Sequence, residues 1–376
     1  MKRIQEIDAL RGFALFGILL VNVFVFHAPL SHYGEFYGAF EGFEKQTVEF
    51  VVNFAGGKFM FIFAFLFGYG IVLQQQSRRE NFKAYFRRRM LVLLLFGTIH
   101  ILVFWFGDIL ASYALLGFMI HPFLQLPNRA LLALGLLFIM FRPLYYCFVL
   151  FFNFPTLDTE HAVDLSEFIT IYASGDYRQI FDLRMKEFWA FMPENLIWYI
   201  PKTWGLFFIG VYAARQEWVS SIKKEARKYL AISLSLILIA SIWQYFKMDV
   251  FSMVNLETDP FWRPILIGLN VVFETALGFG YINGLIIVLG SIPWLSELLA
   301  KTGRLALTNY MLQSLVCVLI FYGYGLGFYG KLKPSELVYI TIVVFGLNLV
   351  FSHFYLKRKA IGPLEFLWRK AISLLK

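Results

Sequence analysis

The sequence predicts an all-α fold, a polytopic helical membrane protein, and three observations carry that prediction. Of its 376 residues, 59% are hydrophobic and only 16% charged, more apolar surface than a soluble domain can bury. The apolar residues come in runs of about 20, the length an α-helix needs to cross the hydrocarbon core of a bilayer. Lys and Arg gather in alternate connections between those runs, the pattern that orients spanning helices.

Ten segments meet the length requirement: 10–27, 58–76, 89–106, 109–126, 129–151, 202–217, 230–248, 263–290, 305–326 and 336–356. The first follows Lys2, Arg3 and Arg11 but lacks a small-x-small cleavage site, so it reads as a helix and not a signal peptide. The second contains the pair Gly68 and Gly70, small residues that allow close helix approach. The third and fourth are joined at Gly107-Asp108, a connection short enough to make them antiparallel neighbours. The sixth is short, fitting a tilted or partly interfacial segment, and the eighth is long enough to be inclined or kinked.

Charge sets the orientation. Six basic residues lie between Ser77 and Arg89, five between Arg215 and Lys228, and Lys357-Arg358-Lys359 follows the last span. Alternation puts these on one face with Lys2, Arg3, Lys301 and Arg304, so both termini are expected in the cytoplasm; Lys331 and Lys333 dissent. The net charge of +9 therefore reads as topology, and no nucleic acid partner is expected. Residues 1–376 read as a single integral membrane domain in contact with membrane lipids. Segments 28–57 and 152–201 are too long for tight connectors and, with His27 at the edge of the first, carry His32, His161, Tyr172, Trp189 and Trp198, so they are expected to cap an outer cavity. Residues 360–376 predict a cytoplasmic interfacial helix that opens at Pro363 and carries a Phe/Leu/Trp face. Cys147 and Cys317, each in an apolar run, suggest neither a disulfide nor a metal site.

Polar residues inside these spans are the functional candidates, because ionisable groups at membrane depth are costly. His100 lies roughly 9 to 12 Å below the outer end of its helix. It is either a core imidazole bonded to a neighbouring helix or a proton-transfer group. Asp108 is either an N-cap or a carboxylate that orients that imidazole or binds an amine. Asp8 and Arg11 are one turn apart and fit an ion pair at the membrane edge. Asn22 stands about 16 Å further along, as inter-helix glue or as a donor to an oxyanion. Thr308, Asn309 and Tyr310 give the ninth span a polar inner half suited to lining a cavity, and Glu274 in the eighth must be neutral, paired or wet.

Several of these residues fall in motifs that resemble the YeiB family of bacterial inner-membrane proteins. The motifs are Asp8-x-x-Arg11-Gly12-Phe13-Ala14-Leu15 leading to Asn22, Leu66-Phe67-Gly68-Tyr69-Gly70, His100 with Gly107-Asp108-Ile109-Leu110, Gly303-Arg304-x-Ala306-Leu307-Thr308-Asn309-Tyr310-x-x-Gln313-Ser314, and Gly362-Pro363-Leu364-Glu365-x-x-Trp368-Arg369. That family is similar to a wider group of transmembrane acyltransferases that includes lysosomal heparan-α-glucosaminide N-acetyltransferase, which passes acetyl from cytosolic acetyl-CoA to a sugar amine across the membrane. There, Arg-Gly precedes Asn at the spacing of Arg11-Gly12 and Asn22, and a catalytic histidine follows in the next outer segment. The nearest histidines here, His27 and His32, stand at other spacings, and if neither serves, His100 is the substitute.

The resemblance implies acyl transfer from cytosolic acyl-CoA, acetyl-CoA first, to a small-molecule, glycan or lipid-linked acceptor at the outer side of a bacterial cytoplasmic membrane. Arg11, Arg78, Arg79, Arg87, Arg88 and Arg304 would hold the phosphates of the donor, and its arm would rise past Thr308, Asn309 and Tyr310. His100 or His32 would be the base, Asn22 the oxyanion donor and Asp108 the orienting carboxylate. No metal cofactor is expected, and a homodimer is allowed. The rival is a transporter of a small or lipid-linked molecule using the same buried groups, disfavoured because no inverted repeat is recognisable. A membrane partner protein without chemistry is the third reading.

Overall fold

A computed structural model describes residues 4–78, 80–152, 164–256 and 259–375. Arg79, assigned to the donor site from sequence, and His161 lie outside the described residues. The helices are α1 (Gln5–His27), α2 (Tyr33–Gly38), α3 (Gly42–Phe50), α4 (Lys58–Ser77), α5 (Phe82–Val103), α6 (Leu110–Ile120), α7 (Asn128–Ile139), α8 (Phe141–Phe152) and α9 (Leu165–Ser174). They continue as α10 (Tyr177–Glu194), α11 (Ile200–Arg215), α12 (Trp218–Lys224), α13 (Ala226–Ser252), α14 (Trp262–Ser291), α15 (Pro293–Arg304), α16 (Ala306–Phe321), α17 (Pro334–Arg358) and α18 (Pro363–Leu374). Short 3-10 or π turns join some of them, and the described residues form no strand.

Local chemistry sets the ends. Pro29 lacks an amide donor and closes α1, while Gly57 takes φ 74° to turn the chain into α4. Asp176 caps α10, accepting from the Gln179 amide at 2.9 Å while the Gln179 side chain accepts from the Asp176 amide at 2.9 Å. The predicted span 129–151 is broken where α7 and α8 meet at 60°, and a second bend, of 78°, joins α15 to α16 at Leu305, the predicted start of the ninth span. The ninth span is shorter than predicted at its far end, since α16 stops at Phe321 and the chain then folds back through Gly327 and Gly330, both at positive φ.

Five stretches are long and apolar enough to cross a membrane: Gln5–His27, Gly42–Ser77, Ala226–Ser252, Trp262–Ser291 and Pro334–Arg358. Counting each bent pair as one span raises the number to seven. The rest of the ten predicted segments are helical but shorter or more charged; α5 carries Arg87, Arg88 and Arg89 near its start, and α6 has 11 residues. The protein is therefore an all-α, multi-pass membrane protein. Its axis is α1, which packs on α4, α15, α16 and α17 and is mostly buried, whereas α13 leaves Leu234, Leu238, Ile242 and Phe246 exposed to a lipid surround.

Candidate functional site

Glycine builds the first wall of the site. A Cβ on Gly303 would fall 2.7 Å from the Gly12 amide nitrogen and closer still to the Asp8 carbonyl, so α1 and α15 touch backbone to backbone. This contact brings Arg11 and Arg304, each next to one of those glycines, to one end of the bundle. Arg11 Nη1 donates to Asp8 Oδ1 at 3.0 Å, the predicted one-turn ion pair. Gly70 on α4 leaves room for the same guanidinium, since a Cβ there would come within 3.1 Å of Nη2.

Between α1, α4, α5, α6, α15, α16 and α18 lies a cavity of about 530 Å³, inside the ~300–1,000 Å³ typical of small-molecule sites. Arg11, Arg89, Arg304 and Arg369 line its basic end together with Trp368. The Arg89 guanidinium lies 4.1 Å from the Trp368 ring, and the Trp368 indole donates to the Arg89 carbonyl at 3.2 Å, fastening α18 onto α5. Glu365 caps α16, accepting from the Thr308 amide at 3.1 Å and the Thr308 hydroxyl at 2.6 Å. The cavity's deep end is formed by Ile109, Leu110, Tyr113 and Tyr310.

One layer behind that end stands His100. Its ring lies 5.0 Å from the Tyr310 ring, its Nδ1 is 3.2 Å from Asp108 Oδ1, and its Nε2 is 2.8 Å from Ser314 Oγ. The Nδ1–Oδ1 approach is bent away from a straight hydrogen bond but near enough for charge attraction. The other Asp108 oxygen accepts the Ala111 amide at 2.6 Å, so this carboxylate both caps α6 and faces the imidazole, uniting the two sequence readings. With the Nδ1 proton turned toward the carboxylate, Nε2 offers its lone pair to a hydroxyl at Ser314. A serine, imidazole and carboxylate in that order are the elements of a proton-abstracting relay. The side chains of His100 and Asp108 have no exposed surface. The cavity therefore stops at Tyr310 and does not reach His100 or Asn22.

The remaining candidates scatter. Asn22 is half-buried and does not line the cavity. His27 is locked: Nε2 accepts the Leu332 amide at 2.9 Å, Nδ1 faces the Tyr37 hydroxyl at 3.1 Å, and that hydroxyl donates to the Phe24 carbonyl at 2.8 Å. His32 is half-buried on the capping side, 2.9 Å from Ser31 Oγ with its ring 5.5 Å from Phe168. Asn309 ties helices together, donating to the Thr302 carbonyl at 3.0 Å and to Ser352 Oγ at 2.9 Å. Arg78 is exposed with its guanidinium 4.1 Å from the Tyr85 ring, and neither it nor Arg87 nor Arg88 lines the cavity. The next residue, Arg89, does, because the helical turn points it inward. Sequence reasoning did not assign Arg89 to the site, and it quoted Arg369, Trp368 and Ser314 only as parts of motifs.

Fold and site together define an all-α membrane protein whose arginine-lined cavity ends against a buried histidine–aspartate pair. A family model described as "Protein of unknown function (DUF418)" matches residues 213–374, and one described as "Heparan-alpha-glucosaminide N-acetyltransferase, catalytic" matches residues 3–182. The chain is 31% identical to the uncharacterized protein YxaH of Bacillus subtilis (strain 168) across 99% of its own length and 95% of that protein. It is 27% identical to the uncharacterized protein YeiB of Escherichia coli (strain K12) across 98% of its length and 96% of that protein. This chain belongs to the DUF418 (YeiB) family. No solved structure matches it.

Proposed function

We propose that this chain is a transmembrane acyltransferase that moves an acyl group, acetyl first, from acyl-CoA on the arginine-rich side to a hydroxyl or amine arriving from the other side. In this reading the membrane is the bacterial cytoplasmic membrane, crossed about ten times, with both termini and the cavity's basic end in the cytoplasm. The match of residues 3–182 to an acetyltransferase catalytic region supports the reaction class. The single observation that carries the reading is the cavity itself, with arginines at one end and, at the other, a tyrosine whose ring lies 5.0 Å from that of His100.

Arg11, Arg89, Arg304 and Arg369 suit the phosphates of a CoA, since guanidinium forks match phosphate oxygens. Its pantetheine arm would run along Phe67 and Leu307 toward Tyr310, and a swing of that ring would open the way to His100. His100 Nε2 takes the proton of the attacking hydroxyl or amine as its oxygen or nitrogen bonds to the thioester carbonyl carbon. The carbon–sulfur bond breaks, and the departing thiolate recovers the proton from the imidazolium. Asp108 offsets the charge that forms on the ring, and Ser314 relays the proton or accepts the acyl group first.

Purified protein should unfold at a higher temperature with acetyl-CoA, free CoA should compete, and radiolabelled acetyl should pass to an amine or hydroxyl acceptor. Absence of any acyl-CoA effect would turn the reading toward a transporter.

A further inference from the structure

Three lysines stand alone in apolar sequence, each at the end of a helix opposite the arginines: Lys58 opens α4, Lys202 lies near the start of α11, and Lys247 lies near the close of α13. The fold gathers them round one carboxylate, Glu274 of α14. Lys202 Nζ is 2.8 Å from Glu274 Oε2, and the Asn270 amide donates to Oε1 at 3.1 Å, so both oxygens are already engaged. Lys247 donates to Gln244 Oε1 at 2.8 Å, a neutral partner. Lys58 is 3% exposed and, among the described residues, has no hydrogen-bond partner, although Glu274, Lys247 and Lys202 all act on its charge. Gln244 is fully buried, and its Nε2 also lacks a partner among the described residues.

The cluster therefore offers donors without acceptors, and three ammonium groups against one carboxylate. Lys58 is buried while Lys202 and Lys247 are half-buried, and a buried ammonium such as that of Lys58 is strongly unfavourable unless a counter-charge meets it. A group of one or two negative charges with several acceptor oxygens meets both needs. We propose that Lys58, Lys247 and the Gln244 amide bind a phosphate group at the end of the bundle away from the arginines. The Lys202–Glu274 pair, about a quarter exposed on each side, forms the mouth of this site. Lysine suits this role as a point charge for phosphate. The exposed apolar flank of α13, with Leu238, Ile242 and Phe246 running up to Lys247, is where the chains of a lipid would lie. The same phosphate chemistry is also presented by a soluble phosphomonoester.

The test uses the full chain in nanodiscs of phosphatidylcholine, whose headgroup carries no net charge, with unfolding temperature as the readout. In one arm phosphatidylglycerol replaces part of the lipid; in the other inorganic phosphate is added against chloride of equal ionic strength. A rise with phosphatidylglycerol alone assigns the site to a lipid headgroup, and a rise with inorganic phosphate assigns it to a soluble phosphate. In either arm Lys247→Gln should weaken the effect about tenfold in ligand concentration, the size of one lost charge-assisted hydrogen bond. Lys58→Gln should weaken it further, and if that variant fails to fold, Lys247→Gln carries the test alone. No rise in either arm, or an equal rise in Lys247→Gln, overturns the proposal.

Discussion

Gly12 and Gly303 place α1 and α15 in backbone contact, since the space a Cβ would take on one is filled by the other's helix. That contact carries Arg11 and Arg304 to the mouth of the cavity, so a single methyl group there should act on packing and site at once. Gly303→Ala and Gly12→Ala are each expected to cost about 1–3 kcal/mol, the usual penalty for overpacking. Their unfolding temperatures should fall and acyl-CoA should lose its stabilising effect. Gly346→Ala on α17 is the control: nothing lies within 4 Å of its Cβ, and removing a mid-helix glycine should leave stability unchanged or raise it by ~0.5–1 kcal/mol.

Arg184 governs the far end of the helix that carries His100. It is fully buried, and its Nη atoms donate to the carbonyls of Leu102 at 2.6 Å, Phe104 at 2.5 Å and Val103 at 3.2 Å. Those are among the last carbonyls of α5, which no helical amide can reach, and a cation suits that end of the helix dipole. Arg184→Met should cost roughly 3 kcal/mol or more, as charged hydrogen bonds are lost to buried acceptors. Lysine reaches fewer of the three carbonyls and should rescue only in part. Unfolding temperature measures both variants.

Much of this arrangement was legible in the sequence, and the reasons differ by residue. The all-α class followed from apolar runs, and the Asp8–Arg11 pair from helical spacing. Asp108 beside His100 was suggested by a connection too short to separate them. The bend at Met140 was not legible, because hydropathy reports apolar length and not direction. Arg89 was passed over in favour of Arg87 and Arg88, since composition counts charges while helical phase decides which one faces inward. Ser314 looked like one polar residue among several in α16; only the approach of α5 to α16 puts its oxygen at the imidazole. Arg184 and the Lys58–Lys202–Lys247 cluster were invisible for the same reason, as their partners lie far away in the chain.

The arginines at the cavity mouth should separate from the arginines of the loop. Arg89→Gln, Arg304→Gln and Arg369→Gln are each expected to weaken acyl-CoA binding about tenfold, one lost charge-assisted contact. Arg87→Gln, exposed and off the cavity lining, should not. Titration of acetyl-CoA by calorimetry or thermal shift tells them apart, and equal losses at all four positions would reduce the cluster to a general electrostatic field.

The relay behind Tyr310 yields a pattern, not just a loss. His100→Gln should remove transfer while leaving acyl-CoA binding intact, because the imidazole lies behind the cavity and does not line it. Asp108→Asn keeps the shape and the α6 cap but removes the charge facing Nδ1, so turnover should fall roughly 100-fold or more, in the range of a misoriented base. Ser314→Ala separates two routes. An acyl-serine intermediate predicts complete loss, and a proton relay predicts a residual rate that rises with acceptor concentration.

Glu187 of α10, in the capping segment, makes stability depend on pH. Burial raises its carboxyl from the ordinary 4.5 to about 7, although the Tyr172 hydroxyl donates to it and pulls the other way. A raised acid holds its proton in the folded state after the unfolded chain has released it. Its stabilising contribution is therefore complete below pH 4.5 and is lost as pH climbs toward 7. A shift of this size corresponds to about 3 kcal/mol across that window. Unfolding temperature should fall between those pH values in the wild-type chain. In Glu187→Gln, which keeps the shape without the titrating proton, that part of the slope should vanish. Tyr172→Phe removes the donor that favours the carboxylate, so its slope should extend to higher pH. Parallel curves for all three would mean that this carboxyl does not titrate in the folded protein.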